Sequence, residues 1–259
     1  MNASTPFFIP FNEKIDTSSL PRLFSNPFKT DTDGLCMHAV EMVQEHLNTQ
    51  SVWSHNFGLS EIENDLPIIG KMFGVLVVQN RFNKIGFLAA FSGKLANAND
   101  HAYFVPPVFD LLADGGFLNK GMQELSRISN VIDVLEATAK YSEEITQRKN
   151  ERKEFSNSLQ QKIFDHYVFL NQAGEEKSLR TIFNATTHKN PPSGAGECAA
   201  PKLLQYAFLQ NLKPIAMAEF WWGQSPKSTT WKQGHFYPSW QEKCAPILAH
   251  MLEGIEMEK

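Results

Sequence analysis

The residues best suited to chemistry lie late in the chain. Cys198, His235 and Cys244 offer sulfur and imidazole donors, the ligand types of a tetrahedral zinc site, with water or a further residue completing the shell. Their spacing is not that of a paired-thiol zinc motif, and the same two cysteines also read as small hydrophobes beside helix starts. Four of the five tryptophans (Trp221, Trp222, Trp231 and Trp240) fall in this stretch, among Lys227, Lys232, His235, Phe236, Tyr237 and Lys243. Flat rings beside cations serve single-stranded RNA binding, because bases stack on aromatics while lysine meets phosphate. The candidate RNA-contacting set is therefore Trp231, Lys232, His235, Tyr237, Trp240 and Lys243, a pattern that a protein–protein surface shares. Trp221 and Trp222 equally suit the end of a buried strand. Gly194-Ala195-Gly196 before a helix start would present free N–H groups to an anion, but Glu197 at that end repels phosphate.

Elements must hold these side chains in place. Pro201 suits the first turn of a helix, and Leu203, Leu204, Ala207, Phe208 and Leu212 give that helix an apolar face. Pro214 is expected to stop it, and Ile215–Trp222 reads as a buried strand. Ser239 and Glu242 have capping-box spacing for a further helix, which Pro246 should kink or begin.

Upstream, Leu35, Val40, Val43 and Leu47 mark an amphipathic helix opened by the Asp-Thr-Asp-Gly at residue 31. Lys71–Gln79 and Ile85–Ser92 form a hairpin whose continuous hydrophobicity predicts burial on both faces. Phe104–Leu112 is expected to lead into a helical turn. From Met122 to Leu170 the pattern is helical, and the charged middle, Lys140–Glu154, reads as a solvated helical hairpin or coiled-coil excursion. Asn171–Gly174 is a turn, Ser178–Asn184 a short helix and His188–Gly196 a loop. The pattern divides the chain into an extended aromatic arm (1–30), an α/β part with the hairpin (31–121), a helical excursion (122–170) and a compact α/β part packing on the second (171–259). The fold class is α/β, of the α+β kind.

With 259 residues, 42% of them hydrophobic and 20 phenylalanines, the chain can bury a sizeable core. A net charge of −4 argues against coating nucleic acid by bulk charge and leaves room for a local basic groove. Three scattered cysteines form no disulfide framework, and neither a signal peptide nor an apolar run of membrane length is evident, so a soluble cytoplasmic protein with no membrane partner is expected.

The strings GAGECAAPKLLQYAF, AEFWWGQSPK, GHFYP and KCAPIL, with GKMFGVLVVQN, GFLAAFSGKLA and FVPPVFDLLA upstream, resemble the N-terminal region of long RluA-family RNA pseudouridine synthases. In that family a synthase domain follows. The resemblance implies an accessory domain tied to RNA pseudouridylation, with RNA (rRNA or tRNA) or the synthase catalytic domain as partner. The family's catalytic Arg-Leu-Asp is absent and the chain ends about where that domain would begin, so no catalytic residue carries over. The order helix, strand, helix around Cys198 and Cys244 also faintly resembles nucleobase deaminases, which hold zinc at two helix starts. Ala200 stands where their general acid/base glutamate would be, and Trp240 where a second thiolate would be. The alternative expectation is thus a degenerate deaminase-like fold acting as a zinc-stabilised interaction module.

Overall fold

A computed structural model describes residues 5–30, 32–59, 66–111, 116–138, 143–187, 189–226 and 230–258. Several positions named above lie outside them: Asp31, Leu112, residues 140–142, His188 and Lys227. The chain runs β1 (Ile9–Pro10), α1 (Gly34–Thr49), β2 (Lys71–Gln79), β3 (Ile85–Phe91), α2 (Phe117–Thr138), α3 (Glu143–His166), β4 (Val168–Leu170) and β5 (Glu176–Ser178). It continues with α4 (Leu179–Asn184), α5 (Ala199–Leu209), β6 (Lys213–Trp222), β7 (Phe236–Tyr237) and α6 (Gln241–Met251). The fold is α+β: a five-stranded antiparallel sheet of order β1-β3-β2-β6-β7, and a two-stranded sheet of β4 and β5.

The central strands explain their own composition. In β2, Phe73, Val75 and Val77 join the cluster built on α1, whereas Leu76 and Val78 join the cluster containing α5 and α6. β3 alternates in the same way, with Phe87, Ala89 and Phe91 on the α1 side and Leu88 and Ala90 on the other. Both faces are covered, so neither strand carries a polar face, and the run reads as continuous hydrophobicity. Antiparallel pairing sets Phe73 opposite Phe91 on one side and Phe220 on the other. Phe73 also touches Phe57 and Phe104, making it the centre of an aromatic cluster with ring centroids 5.6–6.5 Å away.

α1 starts at Asp33, whose carboxylate accepts from the Leu35 N–H at 2.8 Å, and buries Cys36, Ala39, Val40, Val43 and Leu47. The N-terminal arm adds β1 to the edge of β3. Further along the arm, Phe24 is buried and clamped to the chain's last residues: its N–H donates to Glu256 O, and Glu258 N–H donates to Phe24 O.

α2 and α3 form a helical hairpin. Leu125, Ile128 and Ile132 are buried on one helix and Leu159 and Phe164 on the other, while residues 143–154 are largely exposed. The exposed arms are linked by Lys149–Glu136 and by Arg152 to Ser129, each at 2.7 Å, interactions that add little stability in water.

Several local expectations are corrected. Helix α3 ends at His166 rather than continuing to Leu170, and β4 follows. Residues 104–111 contain no helix, and the residues after them, 112–115, where the expected helical turn would follow, lie outside the described residues. α5 is stopped by Asn211 rather than Pro214: Asn211 takes φ 53°, and Leu212 N–H to Ala207 O with Asn211 N–H to Phe208 O closes a Schellman motif. Pro214 instead lies inside β6, beside the register shift at Val77/Val78, where a missing N–H is tolerated. α6 starts at Gln241 and runs through Pro246 to Met251. Among the described residues no helix is long and apolar enough to cross a membrane.

Because Phe73 is fully buried among four other rings, Phe73→Ala is expected to cost about 3–5 kcal/mol in urea or thermal unfolding. A loss below about 1 kcal/mol would contradict the packing described.

Candidate functional site: a tryptophan-walled cavity at two helix starts

Strand alternation in β6 sorts its side chains. Ala216, Ala218, Phe220 and Trp222 belong to the α1 side, whereas Met217 belongs to the α5/α6 side, and Glu219 and Trp221 share its parity. Opposite Glu219 in β2 stands Gly74. A Cβ on Gly74 would come within 3.0 Å of Ala199 Cβ and 3.1 Å of Leu203 Cδ1, so the bare backbone lets the start of α5 lie close against the sheet.

That close approach decides where the free N–H groups of α5 go. Cys198 is the N-cap and its side chain makes no capping bond. The sheet supplies the acceptors instead: Ala199 N–H donates to Ser92 Oγ at 3.2 Å, and Ala200 N–H donates to the Glu219 carboxyl. The same carboxyl accepts from Ser239 Oγ at 2.6 Å. Ser239 therefore does not cap α6 with its side chain, as the capping-box spacing suggested; Trp240 occupies the N-cap and makes no side-chain bond. Glu219 is 7% exposed, and burial pushes its carboxyl above the ordinary glutamate value despite both hydrogen bonds.

A cavity of about 350 Å³ opens above this tie, near the lower end of the 300–1,000 Å³ typical of small-molecule sites. Trp221, Trp231 and Trp240 wall one side. Trp221 and Trp231 are stacked with centroids 5.6 Å apart, and Trp231 lies 6.0 Å from Trp240 and 4.7 Å from Tyr237. Lys243 Nζ sits 5.3 Å above the Trp240 ring. Cys198, Cys244 and Glu219 also line the cavity, with Lys71 and Glu197 at its side.

The Cys198 side chain beside it, together with burial, drives the Cys244 thiol far above its usual range, so it keeps its proton. Burial lowers Lys71, with Glu197 acting in the opposite sense. Beside the cavity, buried Lys202 donates to Phe91 O at 2.9 Å and Gly93 O at 3.3 Å, pinning α5 to the end of β3. Desolvation pushes its amine down to about 8.

The structure brings together most of the residues expected to contact RNA. Trp231, Tyr237, Trp240 and Lys243 form one contiguous face, and the Lys232 N–H donates to the Tyr237 hydroxyl at 2.7 Å. The Lys232 and His235 side chains are exposed, and the His235 backbone carbonyl accepts from Trp221 N–H in the β6–β7 turn. The expected zinc set is only partly assembled. Cys198 and Cys244 meet, but His235 sits out on that turn, and among the described residues no group of three or more His, Cys, Asp or Glu is placed to hold a metal.

The tryptophan pair splits. Trp222 is core on the α1 side, while Trp221 belongs to the cavity wall. Glu219, Lys71, Ser92 and Lys202 were not singled out from the sequence. The signal for Glu219 was present, as a lone acid inside the apolar strand IAMAEFWW. Comparisons with protein-family models, with curated proteins and with solved structures found no match.

The Glu219 environment has a measurable consequence. The unfolded carboxyl titrates near 4.5, and the folded one higher, so above pH 4.5 the folded chain holds more protons and this group's contribution to stability falls as pH rises toward the folded value. Glu219→Gln is uncharged throughout, so the melting temperature of the variant relative to the parent should climb from pH 4.5 upward in calorimetry. A difference that stays flat with pH would rule out the raised value.

Proposed function

We propose that the chain is an RNA-contacting accessory module allied to pseudouridine synthesis, cytoplasmic and without catalysis of its own. The observation that carries this reading is the contiguous face of Trp221, Trp231, Tyr237 and Trp240 with Lys243 against it, bordering an open cavity. An unpaired base stacks on such a face whatever its identity, and cations beside it meet the phosphate. The overall charge of −4 makes a local site more fitting than a charged coat. The resemblance of Gly194–Phe208 and the strings around it to the region preceding RluA-type synthase domains supports the same reading and points to rRNA or tRNA as the class of RNA. A synthase domain, where one accompanies this chain, would supply the isomerisation chemistry.

Filter binding to single-stranded and structured RNA tests the proposal. Affinity should fall as salt rises, because lysine–phosphate contacts release counterions. Trp231→Ala combined with Lys232→Ala should weaken binding on the order of tenfold or more, since one stacked base is worth about 1–3 kcal/mol. Absent binding, or binding indifferent to salt and to this variant, would overturn it.

A further inference from the structure

We infer that Cys198 and Cys244 form a dithiol–disulfide couple that exchanges with small disulfides of the glutathione class entering the tryptophan-walled cavity. Two thiols far apart in sequence are brought together on one cavity at the starts of two eleven-residue helices, α5 and α6. Both line a cavity large enough to admit a small molecule. Among the described residues no group of three or more His, Cys, Asp or Glu is placed to hold a metal there. Lys71 and Lys243 line the same cavity, alongside Glu197 and Glu219, and offer ammonium partners to the carboxylates of an acidic disulfide.

Access assigns the order of events. Cys198 is half-buried and faces the cavity, whereas Cys244 is 1% exposed and held protonated beside it. The Cys198 thiolate attacks one sulfur of the incoming disulfide. That S–S bond breaks, and the leaving thiolate takes up the proton that Cys198 released. Cys244 then gives up its proton, and its sulfur attacks Cys198 Sγ. The mixed disulfide breaks, and the second small thiolate leaves with that proton. Two electrons pass from the protein pair to the small disulfide, which departs as two thiols, and the two protein sulfurs close to a bond of about 2.05 Å. Cys36 provides an internal control, because it is fully buried in the cluster on the opposite face of the sheet.

The test incubates the native full chain with glutathione disulfide, quenches with acid and reads intact mass and free thiols after denaturation. The wild-type chain should lose two hydrogens, and its free thiols should fall from three to one, with the peptide map joining Cys198 to Cys244. Cys244→Ser should stop at a single glutathione on Cys198, whereas Cys198→Ser should remain unmodified while folded. A wild-type chain that stays fully reduced, a bond involving Cys36, or equal glutathione uptake by the two single variants would overturn the assignment. The wild-type measurement decides the matter even if a variant fails to fold, and RNA affinity does not enter it.

Discussion

A carboxyl group placed inside an apolar strand must find hydrogen-bond donors, and much of this molecule's C-terminal half is arranged around that requirement. Glu219 receives the Ala200 N–H from the start of α5 and the Ser239 hydroxyl from just before α6. Leaving such a group unpaired would cost far more than either bond contributes, so the strand and the two helix approaches hold one another in register. Gly74 makes the tie possible by leaving room for α5, and Ser92 takes the neighbouring N–H. The tie also sets two helix starts side by side, and this convergence puts Cys198 against Cys244 and leaves a cavity above them.

The sheet beneath is stiff because both its faces are covered. One packs phenylalanines of β2, β3 and β6 against α1, and the other packs aliphatic residues against α5 and α6. Dense interiors of this kind resist deformation, a useful property in a platform that holds a polar cavity open at its edge. Lys202 extends the same logic: an amine with 3% exposure is accommodated by two carbonyls at the end of β3 and by the Phe91 ring. The α2–α3 hairpin, by contrast, buries little along residues 143–154 and is held there mainly by exposed polar contacts.

The cavity combines two kinds of chemistry that sequence order separates. Its tryptophan wall is aromatic and open to stacking, and the rest of its lining is polar, with two thiols, two carboxyls and two amines. A flat ligand gains from the wall through dispersion and the ring quadrupole, whereas the polar side selects by hydrogen bonding and charge. His235 takes no part in either, because the β6–β7 turn uses its backbone and leaves its side chain in solvent.

The sequence by itself determined the elements that depend on periodicity and local chemistry. The hairpin of β2 and β3, the amphipathic α1, the start of α5 near Pro201 and the strand ending at Trp222 were all legible, because alternation, helical spacing and helix-start chemistry are local signals. Where two local signals competed, tertiary structure chose: Asn211 in a left-handed turn ended α5 before Pro214, and Ser239 turned from capping α6 to bonding Glu219. The clustering of Trp231, Tyr237, Trp240 and Lys243 was visible because those residues are close in sequence. The cavity was not, since Lys71, Ser92, Cys198, Glu219 and Cys244 come from separate elements and meet only through strand pairing and helix docking. Sequence named the two cysteines as partners in a zinc site with His235; the fold paired their sulfurs and left the histidine outside, because turn geometry, not ligand type, decides where a side chain can reach.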